Sequence, residues 1–159
     1  MEPIVIQDFY PDNVAICYGC GRYNSRGLHI RTLWDGKEGI FRFRPQPHHT
    51  AFPGVVYGGL IASLIDCHSI GTATAAAYAA EDRAPGTLPE ILFVTGNLNI
   101  SYLKPTPIDQ ELVLRAKPLD IGQRKAVISC SLFAGDTECA RAEVVAVRVP
   151  SRIDSTLGR

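Results

Sequence analysis

From residue 94 onward apolar and polar positions alternate. Val94, Leu98, Ile100 and Tyr102 take turns with Thr95, Asn97, Asn99 and Ser101, the period of a strand with one buried and one polar face. Three more alternating, β-branched stretches follow at residues 111–117, 124–133 and 138–149, with turn signals at Asp120-Ile121-Gly122 and Gly135-Asp136. Upstream, residues 57–80 are apolar or small on nearly every side and stop short of Pro85-Gly86, which is tolerable only in a helix enclosed by other elements. Two shorter strands are expected at residues 28–34 and 39–44. They flank Asp35-Gly36, a two-residue hairpin signal in which both turn positions take positive φ. Residues 1–27 have no clear period and read as an irregular lead-in with room for one short helix. Residues 150–159 are polar and read as a loose tail.

Two strands, one long helix and four strands make an α+β domain over residues 28–149. Adjacent antiparallel strands curling around the helix would enclose it. The 159 residues suit a single domain with a real core. Residues 55–80 contain no Lys, Arg or Glu and are long enough to cross a bilayer. Asp66 and His68 lie near the middle of that stretch, however, and an aspartate at a membrane helix centre costs roughly 2.5–3.5 kcal/mol. Small residues also outnumber Leu and Phe there, so we read the helix as wrapped by protein and expect no membrane partner. Sixteen basic and sixteen acidic residues cancel. That argues against nucleic acid or an anionic membrane surface as the main partner, although a small anionic ligand needs only a few local cations. The start of the chain lacks the basic and apolar runs of an export signal. Five cysteines, an odd number, then read as reduced thiols in the cytoplasm.

The chemistry concentrates in Pro53-Gly54-Val55-Val56-Tyr57-Gly58-Gly59-Leu60-Ile61-Ala62-Ser63-Leu64-Ile65-Asp66. Glycines at a helix start admit close approach and leave the free N–H groups of the first turn uncovered. Those groups and the helix dipole suit an oxygen that is gaining negative charge. Asp66 lies two turns further on in an apolar helix, where a carboxylate must be paired or used. Eight residues separate it from Gly58, about 12 Å along one helix. If both serve one reaction, two antiparallel copies of the helix, hence a dimer, are needed. On the residues alone, a structural Asp66 hydrogen-bonded to nearby hydroxyls and a Gly58-Gly59 packing device stay open. His68 is about 200° round the helix from Asp66 and reads as a core or interface histidine. Cys17-Tyr18-Gly19-Cys20 has metal-ligand spacing, but no second CxxC or HxxxH follows, and Cys67, Cys130 and Cys139 fall inside the expected helix and strands. No metal is expected. His48-His49 precede the site and read equally well as part of it or as exposed.

These residues resemble the hotdog-fold thioesterases of the 4-hydroxybenzoyl-CoA thioesterase superfamily, in the branch similar to phenylacetate-pathway enzymes. The likeness spans residues 17–149. Cys17-Tyr18-Gly19-Cys20-Gly21 with Asn24 and Gly27-Leu28 resembles a segment of one subgroup, and Gly58-Gly59-Leu60 with Leu64-Ile65-Asp66 is similar to the family's HGG…D helix. The run from Thr95 to Tyr102-Leu103-Lys104-Pro105 resembles the family's strand and its stop. The resemblance implies a curled antiparallel sheet around the helix and homodimers that can pair into tetramers, with CoA near the interface. It implies Asp66 as nucleophile or general base, Gly58 as the backbone donor to the thioester carbonyl and Thr95 as a holder of the attacking water. His49, Tyr57, Gly59 and Asn97 are expected to contact substrate. Two positions depart from the pattern: Tyr57 replaces the family's His, and Ala51 stands where some relatives carry Asn. The expected function is hydrolysis of an acyl-CoA to acid and CoA across a subunit interface, with no cofactor. The alternatives are a non-catalytic module binding acyl-CoA or a lipid-like ligand, and a dehydratase or hydratase. The last is disfavoured because Asp66 has no His on its helix face.

Overall fold

A computed structural model describes residues 2–150. Its strands are β1 (Ile4–Val5), β2 (Leu33–Trp34), β3 (Gly39–Phe43), β4 (Phe93–Tyr102), β5 (Leu112–Ile121), β6 (Lys125–Ala134) and β7 (Thr137–Arg148), with one long helix, α1 (Gly58–Ala80). A 3-10 turn at Ile6–Phe9 is the short helix of the lead-in. The strands form one sheet in the order β1-β2-β3-β5-β6-β7-β4, antiparallel at every pairing. Strands β3 to β7 pack on α1. The residues that face it, among them Leu112, Leu114, Ile128, Leu132 and Val144, are fully buried against Leu64 and Ile65. Each such side chain contributes about 1.5–3 kcal/mol by leaving water. The helix is long and apolar enough to cross a membrane by length and composition, but 72% of its apolar window is buried within this one chain. The curled sheet around one helix is the expected hotdog arrangement. The tail beyond Pro150 lies outside the described residues.

Four details differ from the alternation. The strand expected at residues 28–34 is confined to Leu33–Trp34. His29 takes φ 53, which breaks the extended run, and the N–H groups of Leu28 and Ile30 turn to the carbonyls of Tyr18 and Gly19. The β2–β3 connection has four residues, not two, because Trp34 pairs with Gly39. Gly36 has φ 98, but Asp35 stays at negative φ and its carboxylate accepts the N–H groups of Lys37 and Glu38, each at 2.8 Å. The aspartate closes the loop through its side chain instead of its own left-handed backbone. Strand β5 runs on to Ile121 through a register shift between Pro118 and Asp120, where proline has no N–H to give the ladder. The turn then falls at Gly122. The fourth difference, a bulge in β4, shapes the candidate site.

His68 holds the lead-in, the sheet and α1 together. It is fully buried, with Nε2 at 3.1 Å from the Gly39 carbonyl and Nδ1 at 2.9 Å from the Thr32 hydroxyl. A carbonyl can only accept, so Nε2 carries the proton and Nδ1 accepts from Thr32. Gln7 completes the set: its Oε1 accepts the Thr32 N–H and its Nε2 donates to the Thr32 hydroxyl. Gly39 permits this approach, since a Cβ there would lie 2.2 Å from the Thr72 hydroxyl.

Burial pushes the His68 pKa down from 6.5 to about 4. The unfolded chain therefore takes up a proton below about pH 6.5 that the folded chain refuses until about pH 4. Stability is full above that window and falls as pH drops through it, by up to about 1.4 kcal/mol per pH unit. Denaturant unfolding from pH 7.5 to 4.5 is expected to fall more steeply for the wild type than for His68→Gln. Equal slopes would remove His68 as the source.

Candidate active site

The bulge in β4 aims one hydroxyl at α1. Thr95 pairs with Ala146 and Asn97 with Val145, so Gly96 is an extra residue with no partner of its own. Ala146 is fully buried on the helix side of β7, whereas Val145 is its neighbour on the opposite face. Thr95 is therefore turned towards α1, and the expected placement of Thr95 and Asn97 on one polar face is corrected. Val94, expected in the buried row, shifts outward and is exposed, while Phe93 is buried. Gly96 is what fits there, because a Cβ would stand 2.6 Å from Val147.

The redirected Thr95 hydroxyl donates to Asp66 Oδ1 at 2.5 Å. Asp66 is half-buried in α1, and both residues line a cavity of about 320 Å³ whose walls include Tyr10, Cys17, Ile70 and Phe93. Burial raises the Asp66 pKa, the Thr95 hydrogen bond pulls it back, and nearby Cys17 adds to the rise. A carboxylate held this way has one oxygen engaged and the other available to take a proton.

The second part of the site is the start of α1. Tyr57 is its N-cap residue and makes no side-chain capping bond, and the Gly58 and Gly59 N–H groups precede the first intrahelical bond, which Leu60 N–H makes to the Tyr57 carbonyl at 3.1 Å. Gly58 is open: an added Cβ would meet nothing nearer than the Tyr102 ring, at 3.6 Å. At Gly59 a Cβ would stand 2.4 Å from the Tyr57 ring. The close approach that Gly59 permits is thus made by the chain's own tyrosine. Tyr57 N–H donates to the His49 carbonyl. The His49 ring accepts the Gln46 N–H through Nδ1 and stacks on Phe43 with centroids 5.6 Å apart. His49, Tyr57 and Gly59 line a second cavity with His48 and Ser63. Tyr102, read from the sequence only as a strand residue, donates its hydroxyl to the Gly58 carbonyl at 2.8 Å and ties the end of β4 to the helix start.

Within one chain these parts stay apart. Gly58 borders a surface cleft with Tyr102 and Thr106, whereas Asp66 and Thr95 line the cavity further along the helix. Asn97 is exposed on the face of β4 opposite Thr95 and joins neither group. His68 is a core residue and does not reach the site. No spacing signal places Cys67 beside the CxxC, yet the Sγ atoms of Cys17, Cys20 and Cys67 all lie within 4.8 Å of one another and border the Asp66 cavity.

Comparison with known proteins fits this geometry. The Thioesterase superfamily model matches residues 53–141, more than half of the chain, including Gly58, Asp66 and Thr95. The acyl-coenzyme A thioesterase THEM4 of Mus musculus is 31% identical over 111 residues, covering 70% of this chain and 42% of the relative. The chain thus spans less than half the length of that relative. A thioesterase superfamily protein from Shewanella loihica PV-4, known from its crystal structure, is 42% identical with a TM-score of 0.66, over 89% of this chain and 100% of that one. A Streptococcus mutans UA159 protein solved with acetyl-CoA bound shares the fold at 18% identity and TM-score 0.63, over 77% of this chain and 90% of its own. With the curled sheet around α1, these matches settle the family: the chain belongs to the thioesterase superfamily.

Proposed function

We propose that the protein hydrolyses an acyl-CoA thioester to the free acid and CoA, at sites each shared by two subunits of a homodimer. The Asp66–Thr95 pair in an apolar-walled cavity is the observation that carries this reading. Thr95 occupies one oxygen of Asp66 and leaves the other to draw a proton from water, and the hydroxide so formed attacks the thioester carbonyl. The carbonyl oxygen gains negative charge against the Gly58 N–H at the positive end of α1 from the other subunit. Collapse of the tetrahedral intermediate breaks the C–S bond and releases the CoA thiolate. No step needs a metal or organic cofactor. The name of the mouse relative and the acetyl-CoA bound to the Streptococcus mutans protein support an acyl-CoA as substrate.

The shared site is supported by two features. Gly58 and Asp66 are about 12 Å apart along one helix, too far for a single carbonyl to meet both. Among the described residues strand β4 is the long outer strand of the sheet, paired with β7 alone, and it exposes Val94 and Tyr102. A ten-residue strand at the edge of the described sheet offers its free backbone groups to a second chain. His49, Tyr57 and Gly59 would contact the acyl or CoA portion at the helix start. Asn97, on the outer face of the edge strand, would serve substrate only from across the interface. The five cysteines are free thiols, which supports a reducing, cytoplasmic setting.

Asp66→Asn is nearly isosteric and should fold, yet lose about 10²–10⁴-fold in turnover of an acyl-CoA panel read by thiol release. Unchanged turnover in a folded variant would remove Asp66 from the reaction. Thr95→Val deletes a hydrogen bond to a charged group, typically about 1.5–3 kcal/mol, so kcat should fall roughly ten- to hundredfold. Thr95→Ser should recover most of it, whereas a loss confined to KM would make Thr95 a binding residue only.

Mixing two inactive homodimers tests the shared site. Asp66→Asn and Gly58→Pro, the second lacking the N–H donor, should each be nearly dead. Proline is tolerated in a first helical turn, so the second variant can fold. Heterodimers would carry one doubly damaged and one intact site, so random exchange at equal mixing should restore about a quarter of wild-type activity. Absence of recovery, with heterodimers verified by native mass spectrometry, would place both residues' work within one chain.

A further inference from the structure

The mechanism leaves unused a group of three thiols at the edge of the cavity. Cys17 and Cys20 come from the lead-in and Cys67 from the middle of α1, one residue after Asp66. Their Sγ atoms all lie within 4.8 Å of one another, and the Cys17 and Cys67 sulfurs are 3.8 Å apart. A disulfide would require about 2.05 Å. A tetrahedral zinc with Zn–S bonds near 2.3 Å holds its thiolates about 3.8 Å apart along each edge. The Cys17–Cys67 spacing is thus that of two ligands around one ion.

The surrounding backbone is built to present these sulfurs. Gly19 N–H donates to Cys17 Sγ at 3.3 Å, and Gly21 N–H closes the turn on the Cys17 carbonyl at 2.8 Å. Backbone donors of this kind orient a thiolate ligand and offset its charge. The two residues between the cysteines are clamped as well, since their carbonyls accept the N–H groups of Leu28 and Ile30. Gly19 makes room for the third thiol: a Cβ there would lie 2.3 Å from Cys67 Sγ. A Cβ at Gly21 would lie 2.4 Å from the Cys17 nitrogen. Cys17 is exposed and Cys20 and Cys67 are partly so, which leaves an entry path.

We propose that Cys17, Cys20 and Cys67 bind one zinc ion as a three-thiolate site whose fourth position opens into the cavity lined by Asp66 and Thr95. Binding displaces the three thiol protons to solvent and forms three Zn–S bonds, with water in the fourth place. The ion fastens the irregular lead-in to α1 beside Asp66 and so fixes one wall of the cavity. This inference stands whether or not the chain hydrolyses thioesters.

The full-length protein, reduced, loaded with zinc(II) and desalted, should retain close to one zinc per chain by elemental analysis. Cobalt(II) added to the reduced apoprotein should give thiolate-to-metal charge-transfer absorption that saturates near one equivalent, and zinc should displace it. This measurement needs no variant. Cys17→Ser, Cys20→Ser and Cys67→Ser should each lose the retained zinc and the cobalt band, while Cys139→Ala, at a buried site in β7, should keep both. Zinc should also raise the melting temperature of the wild type and leave that of Cys67→Ser unmoved. Failure of the reduced wild type to retain zinc or to develop the cobalt band would overturn the proposal. So would a Cys17–Cys67 disulfide whose reduction yields a protein that takes up neither metal.

Discussion

A helix with no polar face cannot rest on a surface. Of the 23 residues of α1, 14 are buried, and they are spread around the helix instead of along one stripe. Covering one side with a flat sheet would leave the other wet, so the sheet must curl and the lead-in must close the remaining gap. The second half of the helix is built of Ala73, Ala75, Ala76 and Ala77, whose small side chains let neighbouring elements approach its backbone. Most of the polar groups in this enclosure are satisfied, the Ser69 hydroxyl being the buried one in α1 without a partner among the described residues. His68 is matched on both ring nitrogens. Thr72 and Thr74 return their hydroxyls to carbonyls one turn back.

Asp66 is the residue this enclosure does not neutralise. Its one side-chain partner among the described residues, Thr95, is a hydroxyl and not a cation, so burial is only partly compensated and the carboxyl is left more basic than usual. That partner exists because a single extra residue reverses the facing of β4 at Gly96. Without the bulge, Thr95 would point away from α1 with Asn97, and Val94 would cover Asp66 with an apolar side chain. A register shift of one residue thus separates a packed core from a carboxylate poised in a cavity.

The long elements were legible because their signals are dense. Residues 57–80 lack a polar face throughout, and the last three strands alternate over about ten residues each, so a displaced end does not change the topology. The features that alternation does not reveal depend on single residues. The bulge at Gly96 interrupts an alternation that counts correctly on either side of it. At residues 28–34 the run is apolar enough for a strand, but His29 and the two N–H groups committed to the CxxC turn take it out of the ladder. Cys67 lies 47 residues beyond Cys20, in a helix, and only the folded lead-in brings the two together. Gly58 and Asp66 were readable as a pair in need of two helices because spacing along one helix is a fixed length. The tether from Tyr102 to Gly58 depends on where β4 ends, which alternation does not reveal.

The arrangement of the parts also bears on assembly. Strand β4 supplies Thr95 to the carboxylate and Tyr102 to the helix start, and among the described residues it is also the long outer strand of the sheet. One strand therefore touches both halves of the proposed chemistry and borders the surface a partner would use. On the proposed reading, a partner strand laid along β4 would bury Val94 while bringing a second α1 alongside the first. Pairing of chains and completion of the site would then be one event, and an isolated chain would hold a base at Asp66 with no opposing helix start for the oxyanion.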